Sequence, residues 1–138
     1  MVLIRDYQDL DYEDVKFNLI ESGLFIPDWD TQDRLRRKIQ AHPSSIIVAE
    51  ENKHAVGNIF LTGDFWCAFI SHLSVRKDYQ NKDIGNMLMN EAENRFRKDG
   101  AGAIALLIDK NQHMLTQFYE KRGYFPAGNY LGLAKRLL

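Results

Sequence analysis

The sequence predicts a mixed α/β sheet with helices on both faces, and three observations carry that expectation. Apolar runs of strand character alternate with segments of helical period along the chain. The helical segments stop at glycines or at a proline. Polar turns around Asn52 and around Gly63-Asp64 join three consecutive apolar runs, as in an antiparallel meander.

Taken in order, residues 2–7 form a short apolar strand. Asp9 or Asp11 then caps a helix whose apolar face is Tyr12, Val15 and Leu19, ending at Ser22-Gly23. Residues 24–30 (LFIPDWD) are a loop rich in large apolar side chains. Asp30 or Thr31 opens a second helix through His42, with Leu35 and Ile39 inward, and Pro43 ends it. Residues 46–49, 56–62 and 65–75 are the meander strands. A third helix starts at Ile84 and keeps Leu88, Ala92 and Phe96 on one stripe until Lys98-Asp99-Gly100. Residues 103–108 (AIALLI) read as a strand buried on both faces. Asn111 caps a short helix carrying Met114, Leu115, Phe118 and Tyr119, closed by Gly123, and residues 124–125 and 130–137 supply final strand material. The order is β-α-α-β-β-β-α-β-α-β-(β).

A chain of 138 residues, 45% apolar and 27% charged, is expected to be one domain spanning residues 1–138, with a core that needs no metal or disulfide. Its one cysteine, Cys67, has no internal partner and is expected to be buried beside Trp66 and Phe69. A net charge of −1 removes the bulk positive field on which nucleic-acid and anionic-membrane binding rely, so neither partner is expected. No apolar stretch has the length of a membrane span, and the acidic start (MVLIRDYQDLDYED) is unlike a secretory signal, which makes the cytoplasm the expected location. His42, His54 and His113 lack ligand spacing, so no metal site is expected.

The most informative segment is LSVRKDYQNKDIGNMLMNE, from Leu73 to Glu91. A strand runs into the polar loop Gln80-Asn81-Lys82-Asp83 and then into a helix. First-turn amides without intrahelical partners, together with the helix dipole, favour an anion there. Gly85 lets a phosphate approach the backbone, and Arg76, Lys77 and Lys82 add three cations to the loop. Every helix has such an end, and on this physics alone most such loops bind nothing.

The six residues Gln80, Asn81, Lys82, Asp83, Ile84 and Gly85 resemble the pyrophosphate-binding motif of the GCN5-related N-acetyltransferases. That motif is a Gln or Arg, two residues, Gly, one residue, then Gly or Ala. Leu73-Ser74-Val75 resembles the end of the family's fourth strand, and Phe118-Tyr119-Glu120-Lys121-Arg122-Gly123-Tyr124 its "FYEKxGF" signature. The element order matches from about residue 2 to 137. The chain departs from the motif at Asp83, which replaces the first glycine and sets a carboxylate against a diphosphate. It departs again at Gln112, where members often carry Asn; here Asn111 lies one position earlier.

The resemblance implies an acetyl-CoA-dependent N-acetyltransferase acting on a small-molecule or peptide amine. The backbone of Leu73, Ser74 and Val75 would pair with the pantetheine arm. The amides from Gln80 to Asn86 would hold the pyrophosphate, and Asn111 or Gln112 would offer an amide to the arm. Tyr119 would donate a proton to the departing thiolate, unless it is an aromatic packing on the sheet at the spacing of Leu115.

The general base is left open. Strand alternation separates Phe69, Ser71 and Leu73, the set that commonly faces the acceptor in the family, from Ile70, His72 and Ser74. His72 has suitable chemistry but on this parity points away. A water held by Ser71, or a carboxylate from the Trp29-Asp30 loop, is an alternative. The main rival is an acyl-CoA-binding or regulatory module without turnover, which Asp83 and the lack of an acidic base favour; a plain interaction domain is the other. Arg34, Arg36, Arg37 and Lys38 read as a solvated helix face, or as the site of an acidic acceptor. The C-terminal strand is placed to pair with a second copy in a homodimer.

Overall fold

The computed structural model describes residues 1–138, which divide by internal contacts into two units, Met1–Leu106 and Leu107–Leu138. The first unit holds strands β1 (Leu3–Asp6), β2 (Ile46–Glu51), β3 (His54–Gly63), β4 (Ala68–Val75) and β5 (Ile104–Leu106). Its helices are α1 (Tyr12–Glu21), α2 (Gln32–Ala41) and α3 (Ile84–Lys98); α4 (His113–Lys121) belongs to the second unit. The sheet order is β1-β2-β3-β4-β5, antiparallel except for the parallel pair β4 and β5.

Both faces of the sheet are covered, which is why its central strands are apolar on successive residues. Val15 and Leu19 of α1 and Leu35 of α2 pack with Tyr7, Tyr12, Ile46, Val48, Ala55 and Phe60. The register pair Ile47 and Ile59 points to the opposite face, where α3 buries Ile84, Leu88, Met89, Ala92 and Phe96. Gly57 is needed at this second interface. A Cβ there would stand 3.1 Å from Leu88 Cδ1 and 3.1 Å from the Ser74 carbonyl oxygen, so its absence lets the start of α3 lie close on β3.

Several expected details differ. A 3₁₀ turn (Asp9–Asp11) precedes α1, and Asp11 accepts from the Gln8 amide at 2.8 Å and from two Arg5 nitrogens at 2.8 and 2.9 Å. Thr31, and not Asp30, caps α2, its hydroxyl accepting from the Arg34 amide at 3.2 Å. Strand β4 begins only at Ala68, because the Asp64 carboxylate accepts from the Trp66 and Cys67 amides and holds that stretch as a turn. Cys67 is consequently exposed, contrary to the expected burial. Strand β5 has three residues and a half-exposed pattern: it is an edge strand, not one buried on both faces.

In the second unit, Gln112 and not Asn111 occupies the N-cap position of α4, with no side-chain capping bond. Met114 on this helix is exposed. The expected strands at 124–125 and 130–137 do not form. Pro126 has no amide to give a ladder, Gly128 takes φ +131°, and Gly132 offers no side chain to pack, while Phe125, Tyr130, Leu131, Leu133 and Leu137 stay exposed. No helix is long and apolar enough to cross a membrane.

Candidate active site

The site is built on an irregularity of β4. Phe60 pairs with Ser71 and Asn58 with Ser74, so one residue of β3 faces two of β4, His72 and Leu73. This is a β-bulge, and His72 takes the left-handed conformation at φ +55°. The extra residue resets the alternation. His72, expected to point away from the Ser71 side, instead shares it. The ring stacks on Phe60 with centroids 4.4 Å apart and planes 6° from parallel.

The imidazole is held from both ends. Its Nε2 lies 3.1 and 3.2 Å from the two carboxylate oxygens of Asp30, and its Nδ1 lies 3.0 Å from the Ser71 hydroxyl. A carboxylate only accepts, so in the neutral ring Nε2 carries the proton and Nδ1 is the acceptor for the Ser71 hydroxyl. Asp30 is buried and fixed in turn: its carboxylate accepts from the Ile26 amide at 2.9 Å, and its carbonyl accepts from the Tyr12 hydroxyl at 2.7 Å. That tyrosine's pKa is raised by its burial and by the nearby charges of Glu13 and Asp30, which keeps it a donor.

Two buried asparagines hold the bulge itself. Asn58 Nδ2 donates to the His72 carbonyl at 2.8 Å, and Asn18 Nδ2 donates to Asn58 Oδ1 at 3.1 Å and to the Ala55 carbonyl at 2.9 Å. Neither residue was singled out from sequence. The available signal was a polar side chain in the apolar run VGNIFL, where strand propensity disfavours asparagine.

Beyond the bulge β4 has a free edge. β5 pairs only with Ala68, Phe69 and Ile70, so the segment Leu73-Ser74-Val75 has a sheet neighbour on the β3 side alone. The Ser74 side chain faces α1, where it bonds to Ser22 and to the Asn18 carbonyl, leaving main-chain groups as what this residue offers a ligand.

Downstream, a short turn (Lys77–Tyr79) leads to the loop, in which Asn81 and Asp83 are left-handed at φ +62° and +68°. Asp83 therefore occupies a conformation that suits the motif's glycine. Its carboxylate does not cap the helix; it accepts from Asn86 Nδ2 at 2.8 Å. The α3 ladder opens with the Met87 amide bonding to the Asp83 carbonyl at 3.1 Å, and the first turn carries no acid. The amides of Ile84 and Gly85, ahead of that bond, have no partner within the helix and suit a phosphate. Gln80 closes the loop from its side chain, Nε2 donating to the Val75 carbonyl at 3.0 Å, and the Lys82 ammonium lies 5.1 Å from the Tyr79 ring centre.

Arg76, expected among the loop cations, is not one of them. Its guanidinium turns to α1, bonding Asn18 Oδ1 at 3.0 Å and Asp14 Oδ1 at 3.2 Å, and covers the Phe17 ring. These residues fit a coenzyme A chain: an open strand edge for an extended amide-bearing arm, then uncapped helix amides for a diphosphate.

In the second unit, Tyr119 is buried and its ring meets Phe118 and Tyr124 edge-on. Burial raises its pKa to about 12, so the phenol stays protonated at neutral pH. Asn111 and Gln112 have exposed side chains at the start of α4.

The chain is similar to known proteins over most of its length. The model of the acetyltransferase (GNAT) family matches residues 7–124. An acetyltransferase of Sodalis glossinidius is 28% identical over 135 residues, covering 98% of this chain and 95% of its own. The crystal structure of Ard1 from Thermoplasma volcanium superposes with a TM-score of 0.82 at 20% identity, over 92% of this chain and 84% of the other. The PaiA N-acetyltransferase of Thermoplasma acidophilum, solved in complex with coenzyme A, gives 0.72 at 19% identity over 88% of each chain.

Proposed function

Since the chain belongs to the acetyltransferase (GNAT) family, we propose that residues 1–138 act as one catalytic domain that transfers an acetyl group from acetyl-CoA to a primary amine, by direct attack in a ternary complex. The observation that carries this reading is the Asp30–His72–Ser71 chain, set in the bulge at the open edge of β4. Acetyl-CoA supplies the activated thioester. The open edge of Leu73, Ser74 and Val75 takes its pantetheine arm, and the amides of the loop that follows Gln80, as far as Asn86, take its pyrophosphate, the Gln80 amide itself being bonded to the Lys77 carbonyl at 3.2 Å. Asn111 and Gln112 offer side-chain amides to the arm.

An amine must lose a proton before or during its attack. His72 Nδ1 is the base, and the Ser71 hydroxyl, already bonded to it, relays the proton from the acceptor. Asp30 holds the ring in this tautomer and offsets the positive charge when the ring takes the proton. Tyr119 donates to the departing thiolate. A phenol at about 12 is a far weaker acid than a thiol at ~8.5, so it contributes a hydrogen bond more than a completed transfer, and its effect is modest. The acceptor is a small molecule or peptide, the setting is the cytoplasm, and exposed apolar residues near the C-terminus serve a homodimer.

One observation favours a second reading. Asp83 sets negative charge beside the phosphate cradle, as in an acyl-CoA-binding module without turnover. Two measurements separate them. A thermal-shift titration with coenzyme A should show stabilisation, about 2.7 kcal/mol at 100 times the dissociation constant. Thiol release from acetyl-CoA across a panel of amines should then show turnover. Binding without release for every amine would favour the second reading, and no binding would end both.

A further inference from the structure

Helix α2 presents Arg34, Arg37 and Lys38 to an open pocket of about 280 Å³. No carboxylate lines it. Asp9 and Asp33 pair instead with Arg36, at 3.1 and 3.6 Å, and Asp30 with His72 at 3.1 Å. Arg37 is exposed and has neither a hydrogen bond nor an ion pair. Arg34 uses only its Nε, donating to the Trp29 carbonyl at 3.1 Å, and keeps both terminal nitrogens for a ligand. The Lys38 ammonium donates to the Leu61 carbonyl at 2.7 Å and the Thr62 hydroxyl at 3.3 Å, both uncharged. Burial pushes its pKa down. Three cations gathered without a counterion repel one another, and an anion among them removes that cost.

The pocket and the histidine share their anchors. On one side Arg34 grips Trp29, the residue before Asp30. On the other Lys38 grips Leu61, the residue after Phe60, on which the His72 ring stacks. Neighbouring residues are about 3.8 Å apart along the chain, so pocket and ring are anchored on the same two segments.

We propose that this pocket binds an anionic group, a carboxylate or a phosphate, on the acceptor whose amine meets His72, with Arg37 and Arg34 as the specificity-determining residues. The proposal rests on the amine-acceptor reading and names its substrate class. Guanidinium forks suit both anions because each offers two oxygens in one plane to paired N–H donors.

The test reads binding and turnover separately. ω-Aminoalkanoates of increasing length, the matching ω-aminoalkyl phosphates and their neutral carboxamide twins are titrated calorimetrically in the presence of coenzyme A. Thiol release from acetyl-CoA is followed in parallel. In the wild type, at one chain length, a charged acceptor should bind on the order of tenfold more tightly than its carboxamide. The better of the two anions identifies the group. The preference should shrink as salt rises, survive in part in Arg37→Lys, and fall to near unity in the double variant R34Q/R37Q. In His72→Ala it should persist in binding while thiol release is lost. Retained release in that variant would therefore refute the base and leave the pocket standing. Equal binding of charged and neutral twins by the wild type, or a preference that survives R34Q/R37Q, overturns the proposal.

Discussion

His72 and Asp83 are both left-handed residues without being glycine, and in the proposed mechanism one supplies the base and the other a charge beside the phosphate. At His72 the conformation belongs to a bulge that Asn58 secures through the carbonyl of the same residue. Asn58→Ala leaves that carbonyl and one Asn18 proton unsatisfied in the interior, and is predicted to cost roughly 2–4 kcal/mol in urea denaturation. Turnover should fall further than the loss of folded protein explains, because the ring loses its aim. At Asp83, replacement by glycine removes a charge from the phosphate cradle and suits φ +68°. Asp83→Gly should tighten coenzyme A in calorimetry with a stability change within about 1 kcal/mol; looser binding would mean that the carboxylate makes a favourable contact with the cofactor.

Among the elements, β4 and α3 carry the proposed site, and the close fit of α3 on the sheet depends on Gly57. Gly57→Ala sets a methyl 3.1 Å from Leu88 Cδ1 and from the Ser74 carbonyl. It should cost about 1–3 kcal/mol and weaken coenzyme A by shifting the first turn of α3, both measurable on one purified variant. The elements themselves were largely legible in the sequence. The stripes Val15-Leu19 and Leu88-Ala92-Phe96, the stop at Gly100 and the turn at Asn52 mark their own boundaries through period and backbone chemistry. The side of the sheet on which His72 falls was not legible. Period-two alternation assumes a regular strand, and one inserted residue reverses every parity beyond it. The pairing of Asp30 with His72 spans 42 positions and follows from the loop geometry at Ile26, which no local pattern encodes. The apolar residues after α4 misled in the opposite sense, since composition suggested strands where Pro126, Gly128 and Gly132 interrupt any ladder.

Over the whole molecule a net charge of −1 conceals a sorted surface, with uncompensated cations on α2 and carboxylates bound into the frame elsewhere. Asp14 is one of the latter. Burial works against its charge, but the Ala55 amide, Arg76 and His54 outweigh burial and hold its pKa below the ordinary 3.8. A carboxylate with a lowered folded-state pKa stabilises above its unfolded value and loses that contribution as pH falls through the folded one. The stability advantage of the wild type over Asp14→Asn should thus be full at neutral pH, shrink below about pH 4 and vanish in stronger acid. Denaturation of both proteins across that range checks the sign; an advantage that grew in acid would contradict it.

The role of His72 is tested most directly by the rate of thiol release from saturating acetyl-CoA, with the acceptor that the wild type uses best, in wild type and His72→Ala. The alanine variant is predicted to bind coenzyme A as before and to lose about 10²- to 10⁴-fold in rate, with part of the loss restored by added imidazole. A variant that turns over at the wild-type rate would contradict the account.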